Sequence, residues 1–142
     1  MARAAQPSSV AREMIFYDGT CGLCHAMVRF TARRDRAACF AYAPLGGETF
    51  RATTRQSAAC PANSVVVQTA AGEWLARSAA VLHVLRRLGG GWRALAAVLA
   101  IVPRPLLDGG YRAVARVRRT LWASPAGECP VVPPALRSRF LP

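Results

Sequence analysis

Short apolar runs and stretches of helical spacing alternate along the chain and predict a strand followed by a helix near its start. Met14-Ile15-Phe16-Tyr17 is an apolar run that ends at Asp18-Gly19-Thr20, which indicates a buried strand and then a turn. From Cys21 to about Arg34 the apolar side chains fall at helical spacing, so we predict a helix with Thr20 as its N-cap. The next predicted elements are a second strand at 39–43 that ends before Pro44, a weak helix within 46–58, a third strand at 64–69 and its hairpin partner at 73–76.

The second half of the chain reads as helical. Ser78 is the predicted N-cap of a helix that carries Val81, Leu82, Leu85 and Leu88 on one face and ends at Gly89. An apolar helix is predicted over 92–102, stopped by Pro103, and a helix with arginines on its outer side over 106–122. The proline-rich segment 125–142 is predicted to be an extended tail.

The order of these elements is strand-helix-strand-helix-strand-strand-helix, followed by the two further helices. A hairpin that comes after a strand-helix-strand start is the thioredoxin-like arrangement. We therefore predict an α/β thioredoxin-like fold with a mixed central sheet of about four strands, flanking helices and two extra C-terminal helices. The predicted divisions are a flexible tail at 1–12, a core at 13–90, a helical extension at 91–124 and the tail at 125–142.

Composition narrows the class of protein. The chain has 142 residues, is 53% hydrophobic and contains five cysteines. An odd number of irregularly spaced cysteines argues against a secreted disulfide framework. The first residues lack the apolar core of a secretory signal, and the apolar run 94–102 is far shorter than the roughly 20 residues that span a bilayer. A cytoplasmic location is the resulting prediction.

The net charge of +12 comes entirely from arginine, since the chain has no lysine. Such a surplus can indicate a nucleic-acid or anionic-membrane partner. The arginines are spread along the chain instead of forming one tract, which favours the composition of a GC-rich genome as the explanation. We therefore expect no nucleic-acid partner, and a membrane-surface partner stays open.

The candidate chemistry is the Cys21-Gly22-Leu23-Cys24 motif between the first strand and the first helix. A helix N-terminus stabilises a thiolate, which is the nucleophile in thiol-disulfide exchange. The spacing predicts that Cys21 attacks, while Cys24, one turn further in and less exposed, resolves the mixed disulfide. No charged residue lies between the two cysteines, so we expect a reductant or a mild exchanger.

Asp18 lies in the turn before the motif, and two roles are open for it. Its carboxylate can accept a proton from Cys24 as a general base. Alternatively, it is a loop aspartate that binds backbone N–H groups, which is the more common role of such a residue.

The segment Phe16-Tyr17-Asp18-Gly19-Thr20-Cys21-Gly22-Leu23-Cys24 resembles the signature of the DCC family of thiol-disulfide oxidoreductases, named for one Asp and two Cys. Similar segments include Ser64-Val65-Val66-Val67 and Arg77-Ser78-Ala79-Ala80-Val81-Leu82, and the resemblance covers about residues 13–142. It implies a thioredoxin-like fold and a dithiol site but does not imply a substrate. We predict an oxidoreductase without a cofactor that acts on a disulfide-containing protein or a small thiol, with an electron donor that is unknown. The residues that we expect to support Asp18, Cys21 and Cys24 are Tyr17, Thr20, Gly22, His25, Ser64, Arg77 and Ser78.

The sequence departs from its relatives at two places. Related sequences often carry Asn where this chain has His25, which we expect either to tune the thiolate or to be exposed. Thioredoxin relatives also place a cis-proline before the third strand, where it helps to dock the substrate backbone. Here Pro61 comes too early, and Ser64 or Val65 takes the equivalent place.

Metal and haem sites are the chemical alternatives. Cys21 and Cys24 could bind zinc together with Cys39, Cys60, Cys129 or His83, although the chain has no second CxxC and no paired histidines. Cys21 to His25 also fits the C-x-x-C-H pattern of c-type haem attachment, which requires export. Cys60 and Cys129 could pair, but two unrelated thiols are the simpler interpretation.

A binding module with a non-catalytic CxxC is the alternative from another functional class. The apolar helix 92–102 and the arginine-rich helix 106–122 could dock on a membrane surface or a partner. More often such helices cover the sheet and leave their arginines in solvent, and that is our prediction for them.

Overall fold

The computed structural model describes residues 12–19, 21–55, 64–121 and 134–142. Its elements, in chain order, are β1 (Glu13–Tyr17), α1 (Gly22–Arg34), β2 (Phe40–Pro44), α2 (Glu48–Thr54), β3 (Val66–Gln68), β4 (Trp74–Ala76), α3 (Arg77–Leu88), α4 (Gly90–Ile101), α5 (Arg104–Leu121) and a C-terminal 3-10 helix (Pro134–Arg139).

The strands form one mixed sheet in the order β2-β1-β3-β4. β1 and β2 are parallel, which requires a long crossover, and α1 supplies it. β3 pairs antiparallel with both β1 and β4, and Gly72 takes the positive φ that the β3–β4 turn needs. The predicted thioredoxin-like α/β arrangement is confirmed, although β3 is shorter than the predicted strand 64–69.

The central strand β1 is buried on both of its faces. Ile15 and Tyr17 belong to the core on the side of α1 and α3, which also contains Val28. Phe16 points to the opposite side, where its ring centroid lies 5.1 Å from that of Phe50 and 5.7 Å from that of Trp74. A strand buried on both faces requires apolar residues in succession without polar alternation, and β1 has such a run.

The end of the chain returns to the sheet, and the predicted extended tail is wrong for residues 134–142. Pro134–Arg139 form a 3-10 helix, which proline can begin because its φ is already helical. Phe140 then stacks on Tyr42 with ring centroids 4.8 Å apart, and the N–H of Leu141 donates to the carbonyl of Tyr42 at 2.7 Å. The predicted tail residues 125–133 and 1–11 lie outside the described part of the chain.

Both predicted N-caps need correction. Thr20 lies outside the described residues, and the N-cap of α1 is Cys21. The N-cap of α3 is Ala76, because β4 runs directly into that helix without a loop. Ser78 is the second residue of α3, and its hydroxyl donates to the carboxylate of Asp108 on α5.

The two extra helices are present but do not cover the sheet as predicted. α4 and α5 both pack mainly against α3. Ala96 is the one residue of α4 that is buried, although this helix is apolar apart from Arg93. The predicted divisions near residues 12, 90 and 124 stay predictions.

Candidate active site

The cysteine motif lies where β1 ends and α1 begins. The chain turns after Tyr17, and the N–H of Cys21 donates to the carbonyl of Asp18 at 3.2 Å, which closes the turn. Cys21 is the N-cap in extended conformation, and Gly22 is the first helical residue. The position between strand and helix is the one that the sequence predicted.

The sulfur of Cys21 caps the helix. Its Sγ accepts the backbone N–H of Cys24 at 3.4 Å, as an N-cap serine or aspartate oxygen would. Neither cysteine is in a disulfide. A thiolate at Cys21 would therefore lie at the positive end of the helix dipole and accept an N–H, two effects that stabilise negative charge.

Both cysteines are buried, with exposed fractions of 4% for Cys21 and 3% for Cys24. Cys24 is the less exposed of the two, as expected, but the difference is too small to separate the roles of the two cysteines. Val28, one turn beyond Cys24 on α1, is in the same buried core cluster, which explains the depth of the motif. Cys24 also forms part of the wall of an apolar cavity of about 290 Å³ between α1, α3, α4 and α5.

His25 is buried, which contradicts one of its two expected roles, that of an exposed residue, while the other, tuning of the thiolate, stays a prediction. Its backbone N–H donates to the carbonyl of Cys21 at 3.1 Å. Its ring meets the ring of Tyr17 edge-on, with centroids 5.8 Å apart. Among the described residues no group hydrogen-bonds its buried Nε2 atom. Sequence spacing could not reveal this burial, because the packing partner comes from β1.

Ser64 and Val65 occupy the place before β3, and both are buried. The N–H of Val65 donates to the hydroxyl of Tyr111 at 2.9 Å, and its carbonyl accepts the N–H of Arg77 at 3.3 Å. Arg77 has a positive φ of 56°, an unfavourable conformation for a residue with a side chain. Tyr111 thus joins α5 to the loop beside the motif.

Sequence reasoning missed Tyr111 and Asp108 as neighbours of this site. Tyr111 binds the loop before β3, and Asp108 binds Ser78 on α3. Hydrogen bonding to Ser78 lowers the pKa of the Asp108 carboxyl. The one available signal was that Asp108 and Tyr111 interrupt the apolar side of a helix one turn apart.

The residues of the zinc alternative do not come together where they are described. No group of three or more His, Cys, Asp or Glu could hold a metal ion within the described ranges, and Cys60 and Cys129 fall outside them. His83 lies on α3, where its Nε2 is 2.6 Å from Oε2 of the buried Glu13. Burial, and next the charge of Asp35, raises the pKa of the Cys39 thiol.

Comparison with known proteins gives a family. Residues 15–124 match the family described as DCC1-like thiol-disulfide oxidoreductase. The chain is also 30% identical over 135 residues to a protein of Bacillus subtilis strain 168 that is named uncharacterized protein YuxK. The aligned region covers 94% of this chain and 96% of the relative. No solved structure matches the chain. The family match includes the cysteine motif, the whole sheet apart from the first residues of β1, and α1 to α5, and the chain therefore belongs to the DCC1-like thiol-disulfide oxidoreductase family.

Proposed function

We propose that this protein is a thiol-disulfide oxidoreductase in which Cys21 is the attacking cysteine and Cys24 the resolving one. The observation that carries the proposal is the hydrogen bond from the Cys24 N–H to Sγ of Cys21 at the start of α1. Such a position favours the thiolate, which is the reactive form. The family match supports the same reaction class.

The reaction proceeds in two exchange steps. The Cys21 thiolate attacks one sulfur of a substrate disulfide, and the other substrate sulfur leaves as a thiolate that takes up a proton. The Cys24 thiol loses its proton and attacks Sγ of Cys21, which releases the second substrate thiol. Two electrons pass to the substrate, the Cys21–Cys24 disulfide forms, and an external dithiol donor reduces it again.

Asp18 is the candidate acceptor for the Cys24 proton. It is half-buried and holds the turn before Cys21 through its carbonyl. Removing its charge with Asp18→Asn is expected to slow the resolving step and shift the pH dependence of that step, while attack by Cys21 keeps its rate. If the pH dependence of the resolving step is unchanged in Asp18→Asn, Asp18 has only a structural role in the loop.

Trapping of the mixed disulfide tests the assignment of the two cysteines. In a background with Cys39, Cys60 and Cys129 replaced by serine, Cys24→Ser is incubated with bis(2-hydroxyethyl) disulfide. We expect a stable adduct on Cys21, detected as a mass increase and mapped by peptide mass spectrometry. The matched Cys21→Ser variant is expected to give no stable adduct.

The background variant that retains both cysteines serves as the control. It should form an intramolecular disulfide without a persistent adduct and should be reduced again by dithiothreitol. A stable adduct on Cys24 in the Cys21→Ser variant, with none on Cys21 in the Cys24→Ser variant, would reverse the two roles. No reaction at either cysteine would contradict the proposed function.

A further inference from the structure

The apolar cavity of about 290 Å³ reaches the proposed reactive site, because Cys24 is part of its wall. Its volume lies just below the range for small-molecule sites, which is about 300–1,000 Å³. α1, α3, α4 and α5 all contribute to it. Its apolar lining includes Leu23, Met27, Val81, Leu99, Leu107 and Val114.

The polar groups around this cavity have partners within the protein. The Ser78 hydroxyl donates to Asp108, and the Tyr111 hydroxyl accepts the N–H of Val65. A ligand that enters the cavity would therefore exchange water for apolar contacts. A polar group on its buried part would lose hydrogen bonds without replacement, so the site favours an apolar ligand.

The backbone next to the cavity argues for a small ligand over a peptide. A peptide docks on an exposed strand edge through free backbone N–H and C=O groups. At Val65 both groups are used, by Tyr111 and by Arg77. An extended peptide could pair here only by displacing α5 and breaking the bond between Arg77, at the start of α3, and the loop.

We propose that the cavity binds the apolar arm of a low-molecular-weight disulfide, such as a short alkyl or single-ring group. This substrate class rests on the proposed function. An arm held against Cys24 lies within one helical turn of Cys21, whose thiolate bonds to one sulfur while the other leaves and is protonated. Cys24 then displaces the bound thiol and closes the Cys21–Cys24 disulfide, so the substrate gains two electrons and two protons.

Two disulfides of nearly equal size test the substrate class. Dipropyl disulfide and bis(2-hydroxyethyl) disulfide differ by a methyl group in place of a hydroxyl at each end. With dithiothreitol as donor, we expect kcat/KM to be at least tenfold higher for dipropyl disulfide. Ala115 lines the cavity, and Ala115→Phe, which fills it, should bring the ratio near one.

Ala113→Phe is the matched control, because Ala113 is exposed on the same helix and does not line the cavity. It should keep the wild-type ratio. Leu107→Ala, which enlarges the cavity, should move the preference towards longer alkyl arms and gives a second test should Ala115→Phe fail to fold. Equal rates for both disulfides, unaffected by these variants, would overturn the inference and leave the proposed function intact. Failure to reduce either disulfide would overturn both.

A second inference rests on the exposed apolar residues of α4 and α5, of which Val114 also lines the cavity. Among the described residues, every large apolar side chain that is exposed lies on these helices, apart from Leu141. Ile101 is 82% exposed and Leu106 67% exposed, at the two sides of the bend between the helices. A helix that is apolar all round is normally buried, so the outer surface of α4 requires a partner.

Charge identifies the partner that fits this surface. The chain carries a net charge of +12, and the exposed Arg112 and Arg116 lie one turn apart on α5. An amphipathic helix with arginines on its polar face is typical of binding in the interface of anionic lipids. The same positive charge opposes the pairing of two copies of the chain. Within the described residues no single helix is long and apolar enough to cross a membrane.

We propose that α4 and α5 bind the surface of an anionic bilayer. The protein should co-sediment with vesicles of phosphatidylglycerol and phosphatidylcholine, and salt should weaken this binding. Ile101→Asp with Leu106→Asp, and separately Arg112→Glu with Arg116→Glu, should reduce the bound fraction at least fivefold. Leu141→Asp, which changes an exposed leucine elsewhere, is the control and should bind like the wild type.

Binding that none of these variants changes would overturn the membrane proposal. So would the absence of binding to anionic vesicles. Sedimentation showing a dimer that Ile101→Asp with Leu106→Asp dissociates would assign this surface to a second copy of the chain and contradict the proposal.

Discussion

At the scale of single residues, Cys21 combines a structural and a chemical role. Its Sγ caps α1 by accepting the N–H of Cys24, so the group proposed to attack substrate also holds the start of the helix. Capping and thiolate stabilisation have one cause, the unpaired N–H groups of the first helical turn.

The capping role predicts that Cys21→Ala and Cys21→Ser differ in stability although neither can form the disulfide. Serine keeps an acceptor at the N-cap and alanine does not, so we expect Cys21→Ala to be less stable than Cys21→Ser by about 1 kcal/mol. The free energy of unfolding in urea, measured in reducing buffer, checks this difference. Equal stabilities would show that the sulfur contributes nothing to the cap.

Tyr42 predicts a loss of stability at alkaline pH. Burial raises the pKa of its phenol, and the negative charge of Asp35 raises it further. The folded protein thus holds this proton more firmly than the unfolded chain, whose tyrosine pKa is about 10. The stabilisation is present below that pH and is lost as the pH rises above it.

Unfolding is measured from pH 8 upward for the wild type and for Tyr42→Phe. The comparison separates the contribution of Tyr42 from those of Tyr17 and Tyr111. Above about pH 10, the unfolding free energy of the wild type should fall relative to that of Tyr42→Phe. A difference that stays constant over the whole pH range would contradict the assignment.

Some of these residues were predictable and others were not. Cys21, Cys24 and Asp18 could be placed from the sequence because an apolar strand, a turn and a helix follow one another locally. The burial of His25 and the contact of Tyr111 with Val65 could not, because both depend on residues far apart in the chain. Ser78 was misassigned as a cap for the same reason, since its partner Asp108 lies on α5.

At the scale of elements, Asp35 joins three parts of the fold. Asp35 lies at the end of α1, and its buried carboxylate accepts the N–H groups of Cys39 and Phe40, where β2 begins, at 3.0 and 2.9 Å. Arg139, at the end of the C-terminal 3-10 helix, approaches the same carboxylate at 3.3 Å. The prolines near the C-terminus suggested an extended tail, and these long-range contacts explain why the segment docks instead.

Asp35→Ala is therefore expected to be strongly destabilising. It leaves two backbone N–H groups and the Arg139 guanidinium without their acceptor, which should cost about 3 kcal/mol or more. Thermal and urea unfolding measure the loss. Glu48→Ala, an exposed acidic residue at the start of α2, is the control and should change stability by less than about 1 kcal/mol. Similar losses for both variants would contradict this role of Asp35.

At the scale of the whole molecule, the order of elements was predictable and the placement of the last helices was not. Hydrophobic periodicity and turn residues give the order of strands and helices, and the hairpin after a strand-helix-strand start gives the sheet. The placement of α5 involves Asp108, which binds Ser78 on α3, and Tyr111, which binds the loop before β3, and both partners are far away in the chain. α4 and α5 also form part of the wall of the apolar cavity and carry the exposed apolar surface.

The central claim is that Cys21 and Cys24 form a reversible disulfide, and a redox titration tests it most directly. The Cys39, Cys60 and Cys129 serine background is equilibrated in mixtures of reduced and oxidised dithiothreitol, and the thiols are alkylated and mapped by mass spectrometry. We predict one two-electron transition that joins Cys21 to Cys24 and disappears in Cys21→Ser and in Cys24→Ser. If both cysteines stay reduced across all accessible potentials, the oxidoreductase account is contradicted.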